Sequence, residues 1–148
     1  THRMQHLISP SGLHVLNDSY NANPAAMASG LRTLADISAR NRMAIIGDML
    51  ELGETSGELH KQIGTVAGQA QISYLALVGN FSKQIQQGAL EAGMEASRIR
   101  IFTNKEKVVD WVGELMQNGR LQPTDWILVK ASRGLALDTV VDQIMKQC

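Results

Sequence analysis

Leu13-His14-Val15-Leu16-Asn17-Asp18-Ser19-Tyr20-Asn21-Ala22-Asn23-Pro24 joins a short apolar run to a polar turn that ends in Asn-Pro. Leu13 to Leu16 has the make-up of a buried strand. Asn23 suits a helix cap, because its side-chain oxygen can accept one of the free N–H groups of a first helical turn. Pro24 suits the first helical position, where no N–H is needed. Past the turn, Met27, Leu31, Leu34 and Ala35 fall at i, i+4, i+7 and i+8, one apolar stripe of an amphipathic helix. The segment is therefore a strand-to-helix turn. In open parallel sheets such turns emerge at the carboxyl ends of the strands, where ligands bind, and this one gathers Asp18, Tyr20, Asn21 and Asn23 there.

Upstream, Met4 to Ile8 is separated from Leu13 by Ser9-Pro10-Ser11-Gly12, a turn-rich tetrapeptide that predicts a hairpin and an antiparallel first strand. Downstream, strands and helices alternate. Met43 to Ile46 is a short buried strand running into Gly47-Asp48-Met49-Leu50-Glu51-Leu52-Gly53. Thr55-Ser56-Gly57-Glu58 has the pattern of a capping box for a helix carrying Leu59, Ile63, Val66, Ala67 and Ala70. Tyr74 to Val78 is the next strand, and Phe81, Ile85, Ala89 and Ala92 mark a helix that stops near Gly93. Ile99 to Phe102 is strand-like, and Thr103-Asn104-Lys105-Glu106 has a second capping-box pattern before a helix with Val108, Val112, Leu115 and Met116 inward. Trp126 to Val129 is the last strand. Lys130-Ala131-Ser132-Arg133-Gly134 follows it, and then a helix with Val140, Val141, Ile144 and Met145.

A hairpin followed by alternating helix and strand predicts an α/β fold: a Rossmann-like three-layer domain, its sheet mostly parallel with one N-terminal antiparallel edge strand. No repeat, low-complexity segment or linker interrupts it, so residues 1–148 are expected to form a single domain. The chain starts at Thr1 and enters a strand within a few residues, as a domain excised from a longer chain would.

Composition narrows the function classes. Fourteen basic residues balance fourteen acidic ones, which leaves no electrostatic footprint for nucleic acid, and aromatic residues at 4% are too few for a base-stacking platform. Cys148 is the only cysteine, so neither a disulfide framework nor a CxxC site exists. No apolar run reaches the roughly 18 residues of a membrane span, and no signal-peptide order opens the chain, so no membrane insertion and a cytoplasmic location are expected.

Three polar loops, at Asp18 to Asn23, Asp48 to Glu51 and Lys130 to Arg133, each follow a predicted parallel strand. All three should therefore share the carboxyl edge of the sheet, which makes that edge the candidate ligand site. Other chemistries are missing from the sequence. It has no GxxxxGK[ST] phosphate loop, no GxGxxG, no GxSxG elbow and no metal-ligand spacing among His2, His6, His14 and His60. A packing or capping role is expected for His60, since a catalytic histidine needs convergent partners.

Asp18-Ser19-Tyr20-Asn21-Ala22-Asn23-Pro24 after a strand, Ile45 to Glu54 (IIGDMLELGE) with Glu58-Leu59-His60 close behind, and Ile127 to Arg133 (ILVKASR) before the last helix together carry a resemblance. In order and spacing, over nearly the whole chain, they resemble the C-terminal domain of the Mur ligases. Within that family they are most similar to the branch that joins D-Ala-D-Ala to a UDP-MurNAc-tripeptide. Ala25-Ala26 and Gly134-Leu135-Ala136-Leu137 depart from the commoner residues at the two helix starts. Asp18, Asn21, Asn23, Lys130, Ser132 and Arg133 are kept.

The resemblance implies an ATP-dependent amide ligase of peptidoglycan synthesis, with an N-terminal and a central domain beyond this one. The phosphates and Mg2+ would then sit mainly on the central domain, so a missing phosphate loop is expected. Asp18, Tyr20, Asn21 and Asn23 are assigned to the nucleoside, because short polar side chains suit ribose hydroxyls and adenine edges. Lys130, Ser132 and Arg133 are assigned to the dipeptide carboxylate, which a guanidinium grips through two parallel hydrogen bonds. Asp48 and Glu51 are placed to hold the incoming ammonium or to orient Arg133. No catalytic residue is expected on the fragment, which alone should be inactive. Two alternatives stay open: another amino-acid ligase of the same family, or a stand-alone Rossmann-like binding module without catalysis.

Overall fold

Six strands form one sheet in the order β1-β2-β6-β3-β4-β5 in the computed structural model, which describes residues 4–19 and 22–148. The chain runs β1 (Gln5–Ile8), β2 (His14–Asp18), α1 (Pro24–Asp36), β3 (Arg42–Ile46), α2 (Ser56–Gln69), β4 (Tyr74–Val78), α3 (Ser82–Glu91), β5 (Ile99–Phe102), α4 (Glu106–Gln117), β6 (Trp126–Lys130) and α5 (Asp138–Gln147). β1 pairs antiparallel with β2, and every other pairing is parallel. The α/β fold with one antiparallel edge strand is thus as expected.

Alternation along the central strands explains the two cores. Val15, Met43, Ile45, Ile127 and Val129 point to one face, where Val108 and Val112 of α4 and Val140, Val141 and Ile144 of α5 cover them. Leu16, Ala44, Ile46, Leu75, Leu77 and Leu128 point to the other, under Met27, Leu31 and Leu34 of α1, Ile63 and Ala67 of α2, and Ile85 and Ala89 of α3. Strands buried on both faces read as continuous apolar runs, which is why β4 is buried throughout. Among the described residues no helix is long and apolar enough to cross a membrane.

Both capping boxes are corrected. Thr55 makes no side-chain cap bond and already has near-helical backbone angles (φ −86°, ψ 5°), because a 3-10 turn at Gly53–Thr55 leads into α2. A chain that arrives already coiled gives the threonine no extended backbone from which to reach back. At α4 the residue before the helix is Lys105, also without a side-chain cap. Asn104 does that work instead, its Oδ1 accepting from Glu106 N at 2.9 Å. The cap at α1 is as expected, with Asn23 Oδ1 accepting from Ala26 N at 2.9 Å and Pro24 in the first turn.

Candidate functional site at the carboxyl edge

Register brings the three loops level. Asp18, Lys130 and Ile46 are opposite one another at the ends of β2, β6 and β3. The chain leaves β2 and β3 toward helices on one face and leaves β6 toward α5 on the other, so the crevice beside β6 is the point where connections diverge. Ligands of open α/β sheets bind at such a point.

Hydrogen bonds stitch the loops together. The Asp48 carboxylate is buried and accepts from Asn80 N at 2.8 Å and Phe81 N at 3.0 Å, closing the β4–α3 loop onto the β3–α2 loop. Gly79 is needed for that approach: its φ is +115°, and a Cβ there would lie 2.5 Å from Asp48 Oδ1. In the other direction, Ser132 N donates to Asp48 O at 3.0 Å, and Leu50 N donates to Ser132 Oγ at 2.8 Å. Asp48 and Ser132 are therefore pins that fix the spacing of three loops.

His60 adds a fourth tie. Fully buried on α2, it stacks on Phe81 at 4.3 Å between ring centroids. Its Nε2 accepts from Met49 N at 2.9 Å, and its Nδ1 is 2.6 Å from Ser56 O. A backbone N–H on Nε2 and a carbonyl on Nδ1 are satisfied together only by the neutral ring with its proton on Nδ1. The expected packing role stands, with the addition that His60 anchors the loop carrying Asp48, Leu50 and Glu51.

Lys130 is buried, and its ammonium pairs with the Asp18 carboxylate across the ends of β6 and β2. The sequence placed these two in different subsites, whereas the fold places them in one ion pair. Asn23 is exposed and spends its Oδ1 on the cap of α1. Tyr20 and Asn21 lie outside the described residues. Arg133 is exposed in a 3-10 turn after β6 and has no side-chain partner among the described residues. Glu51 is exposed too, with left-handed backbone (φ 62°), beside the Leu50 that bonds Ser132.

Two features escaped the sequence. Ser19 Oγ, next to Asp18, is buried and has no hydrogen-bond partner among the described residues. Leu50 is 43% exposed, an apolar lip on the same edge. Nothing in the residue pattern marks either one, since both depend on how neighbouring loops pack. No group of three or more His, Cys, Asp or Glu that could hold a metal occurs among the described residues. Asp48 is spent on backbone amides and Asp18 on Lys130.

Comparison with known proteins covers almost the whole chain. A family model described as "Mur ligase, glutamate ligase domain" matches residues 2–133. A UDP-N-acetylmuramoyl-tripeptide–D-alanyl-D-alanine ligase of Bacillus subtilis is 32% identical over 145 residues, covering 97% of this chain and 30% of that protein. The protein of the same name from Rickettsia prowazekii is 33% identical over 138 residues, covering 92% of this chain and 28% of its own. The chain thus spans about 30% of the length of such relatives. Among solved structures, MurF from Acinetobacter baumannii superposes with a TM-score of 0.84 at 22% identity, covering 99% of this chain and 30% of that one. MurF ligase from Thermotoga maritima, solved in complex with ADP, gives a TM-score of 0.76 at 23% identity, covering 99% and 31%.

Proposed function

Since the chain belongs to the Mur ligase family, matching its glutamate ligase domain, we propose that it is the C-terminal domain of a cytoplasmic, ATP-dependent ligase that joins D-Ala-D-Ala to a UDP-MurNAc-tripeptide in peptidoglycan synthesis. The supporting names are those of the relatives that align with nearly its full length. In that reaction the γ-phosphoryl group of ATP passes to the tripeptide carboxylate, and the dipeptide amine attacks the acyl phosphate. ADP leaves in the first of these steps, and collapse of the tetrahedral intermediate forms the amide and expels inorganic phosphate. An N-terminal domain holds the UDP-sugar, and a central domain holds the triphosphate with Mg2+, whose chemistry is to neutralise the transferring phosphoryl oxygens.

This domain's part is to close over the nucleoside and deliver the dipeptide. The observation that carries the proposal is the carboxyl edge itself: Asp48, Ser132 and His60 lock the loops to one another, and Arg133 is left exposed without a side-chain partner among the described residues. A preset edge with an uncommitted guanidinium suits capture of a carboxylate. Asp18, Tyr20, Asn21 and Asn23 form the nucleoside side, beside the Ser19 hydroxyl, which has no partner among the described residues. Lys130 contributes through Asp18, and Glu51 flanks the dipeptide ammonium.

Substituting Arg133→Lys in the ligase that carries this domain tests the assignment. Lysine keeps the charge and loses the fork. The dipeptide KM should rise by the equivalent of about 1.5–3 kcal/mol, the range of charge-assisted hydrogen bonds, while ATP parameters move far less. An unchanged dipeptide KM with weakened ATP use would assign the basic loop to the phosphates instead.

A further inference from the structure

At the amino edge of the sheet a cavity of about 260 Å³ opens between the start of β4, the turn before β5 and the last turn of α4. Its aromatic wall is formed by Tyr74 and Trp111, both buried, meeting edge to face with ring centroids 6.1 Å apart. Three arginines line the same space. Arg98 lies 5.5 Å from the Tyr74 ring centroid and Arg100 4.9 Å from that of Trp111. Each has one acidic neighbour at 3.5 Å, Glu95 and Glu114 respectively, and all four side chains are more than a third exposed. Exposed pairs of this kind contribute little, which leaves the Arg100 guanidinium available, while Arg98 also donates from Nη1 to Ser73 O at 3.4 Å. Arg120, the third, has no side-chain partner among the described residues.

Carbonyls in the last turn of α4 already have backbone partners, Glu114 O with Asn118 N, Met116 O with Gly119 N, and Leu115 O with both Arg120 N and Leu121 N. Tyr74 is 5% exposed as a residue and lines the cavity, and its hydroxyl, which is not sealed from solvent, has no hydrogen-bond partner among the described residues.

Three guanidiniums against two carboxylates, with an unused phenol beside an aromatic wall, form a donor-rich pocket that needs an acceptor. We propose that this cavity is a binding site for a small organic oxyanion, a carboxylate or phosphate ester on a compact body. Arg100 and Arg120 would grip the oxyanion, and the Tyr74 hydroxyl would donate to it. The volume lies just below the span of about 300–1,000 Å³ typical of drug-sized ligands, which sets the body at few atoms.

The chain has two tryptophans, so Trp126→Phe leaves Trp111 as the only reporter of the cavity. Titrating that variant with phenyl phosphate, benzoate and inorganic phosphate while following tryptophan fluorescence tests the site. A saturable change with phenyl phosphate or benzoate is expected, and whichever binds more tightly identifies the oxyanion. In the same background Arg120→Ala should weaken binding about tenfold or more, and Tyr74→Phe about two- to tenfold, the effects of losing a charged and a neutral hydrogen bond. Arg32→Ala, on α1, should change nothing. Circular dichroism on each variant checks that the fold is kept; Tyr74→Phe retains the ring, and Arg120 is exposed. Non-saturating responses to all three probes, or an affinity unchanged from the parent in both Arg120→Ala and Tyr74→Phe, would overturn the proposal.

Discussion

Replacing Asp48 by asparagine leaves the shape of the β3–α2 loop almost unchanged but converts one of its two acceptors to a donor. In the native chain Oδ2 accepts from Asn80 N at 2.8 Å and Oδ1 from Phe81 N at 3.0 Å. Asparagine can keep one of these bonds, now neutral, and must turn an NH2 group toward the other N–H. Asn80 is exposed and Phe81 half-buried, so water can relieve part of the stranded donor. Taking one charge-assisted bond at about 1.5–3 kcal/mol, and allowing for that relief, Asp48→Asn should cost about 2–3 kcal/mol of folding stability. At about 2–4 °C per kcal/mol for a chain of this size, Tm should fall by about 4–12 °C. Urea unfolding followed by circular dichroism, with no ligand present, measures it directly. The loss belongs to the free domain because both partners are backbone amides of the same chain. A variant within about 0.5 kcal/mol of the parent would show that Asp48 is not the pin described above and would return it to the ligand-binding role read from the sequence.

Gly64→Ala puts a better helix former into α2, yet it should destabilise by about 1–3 kcal/mol, the overpacking range. A Cβ there would lie 1.9 Å from Ile85 O, so α3 must move away; stabilisation on thermal melting would refute that close contact. Cys148 is buried, and burial pushes its thiol pKa above the usual 9.0. The unfolded chain therefore ionises first as pH rises, so the thiol's contribution to stability is complete below pH 9 and declines above it. Alkylation by iodoacetamide at pH 8 should be slow in the native chain and fast in urea, and equal rates would contradict the burial.

Much of the fold was legible because its determinants are local. Tyr74 to Val78 and Ile99 to Phe102 are bounded as strands by turn residues on both sides, and Asn23-Pro24 announces α1 through chemistry confined to one turn. The capping boxes failed for the same reason. Ser/Thr-x-x-Glu spacing says nothing about the direction from which the chain arrives, and at Thr55 it arrives through a 3-10 turn. At the site, the sequence supplied the three loops and their shared edge but not their cross-bonds. Asp48, Ser132 and Lys130 look like ligand-facing groups in a linear reading, because bonds to Phe81, Leu50 and Asp18 span 33, 82 and 112 residues of chain. No such partner claims the Arg133 side chain among the described residues, which is why Arg133→Lys is the substitution proposed above for the dipeptide site.

The central claim, that this domain serves the addition of D-Ala-D-Ala, is tested most directly by phosphate release from ATP in the ligase that carries it, with UDP-MurNAc-tripeptide as acceptor. Release should require D-Ala-D-Ala and stay at background when D-alanine or another single amino acid replaces the dipeptide. Robust release with a single amino acid, and none with D-Ala-D-Ala, would contradict the account and assign the domain to a different ligase of the family.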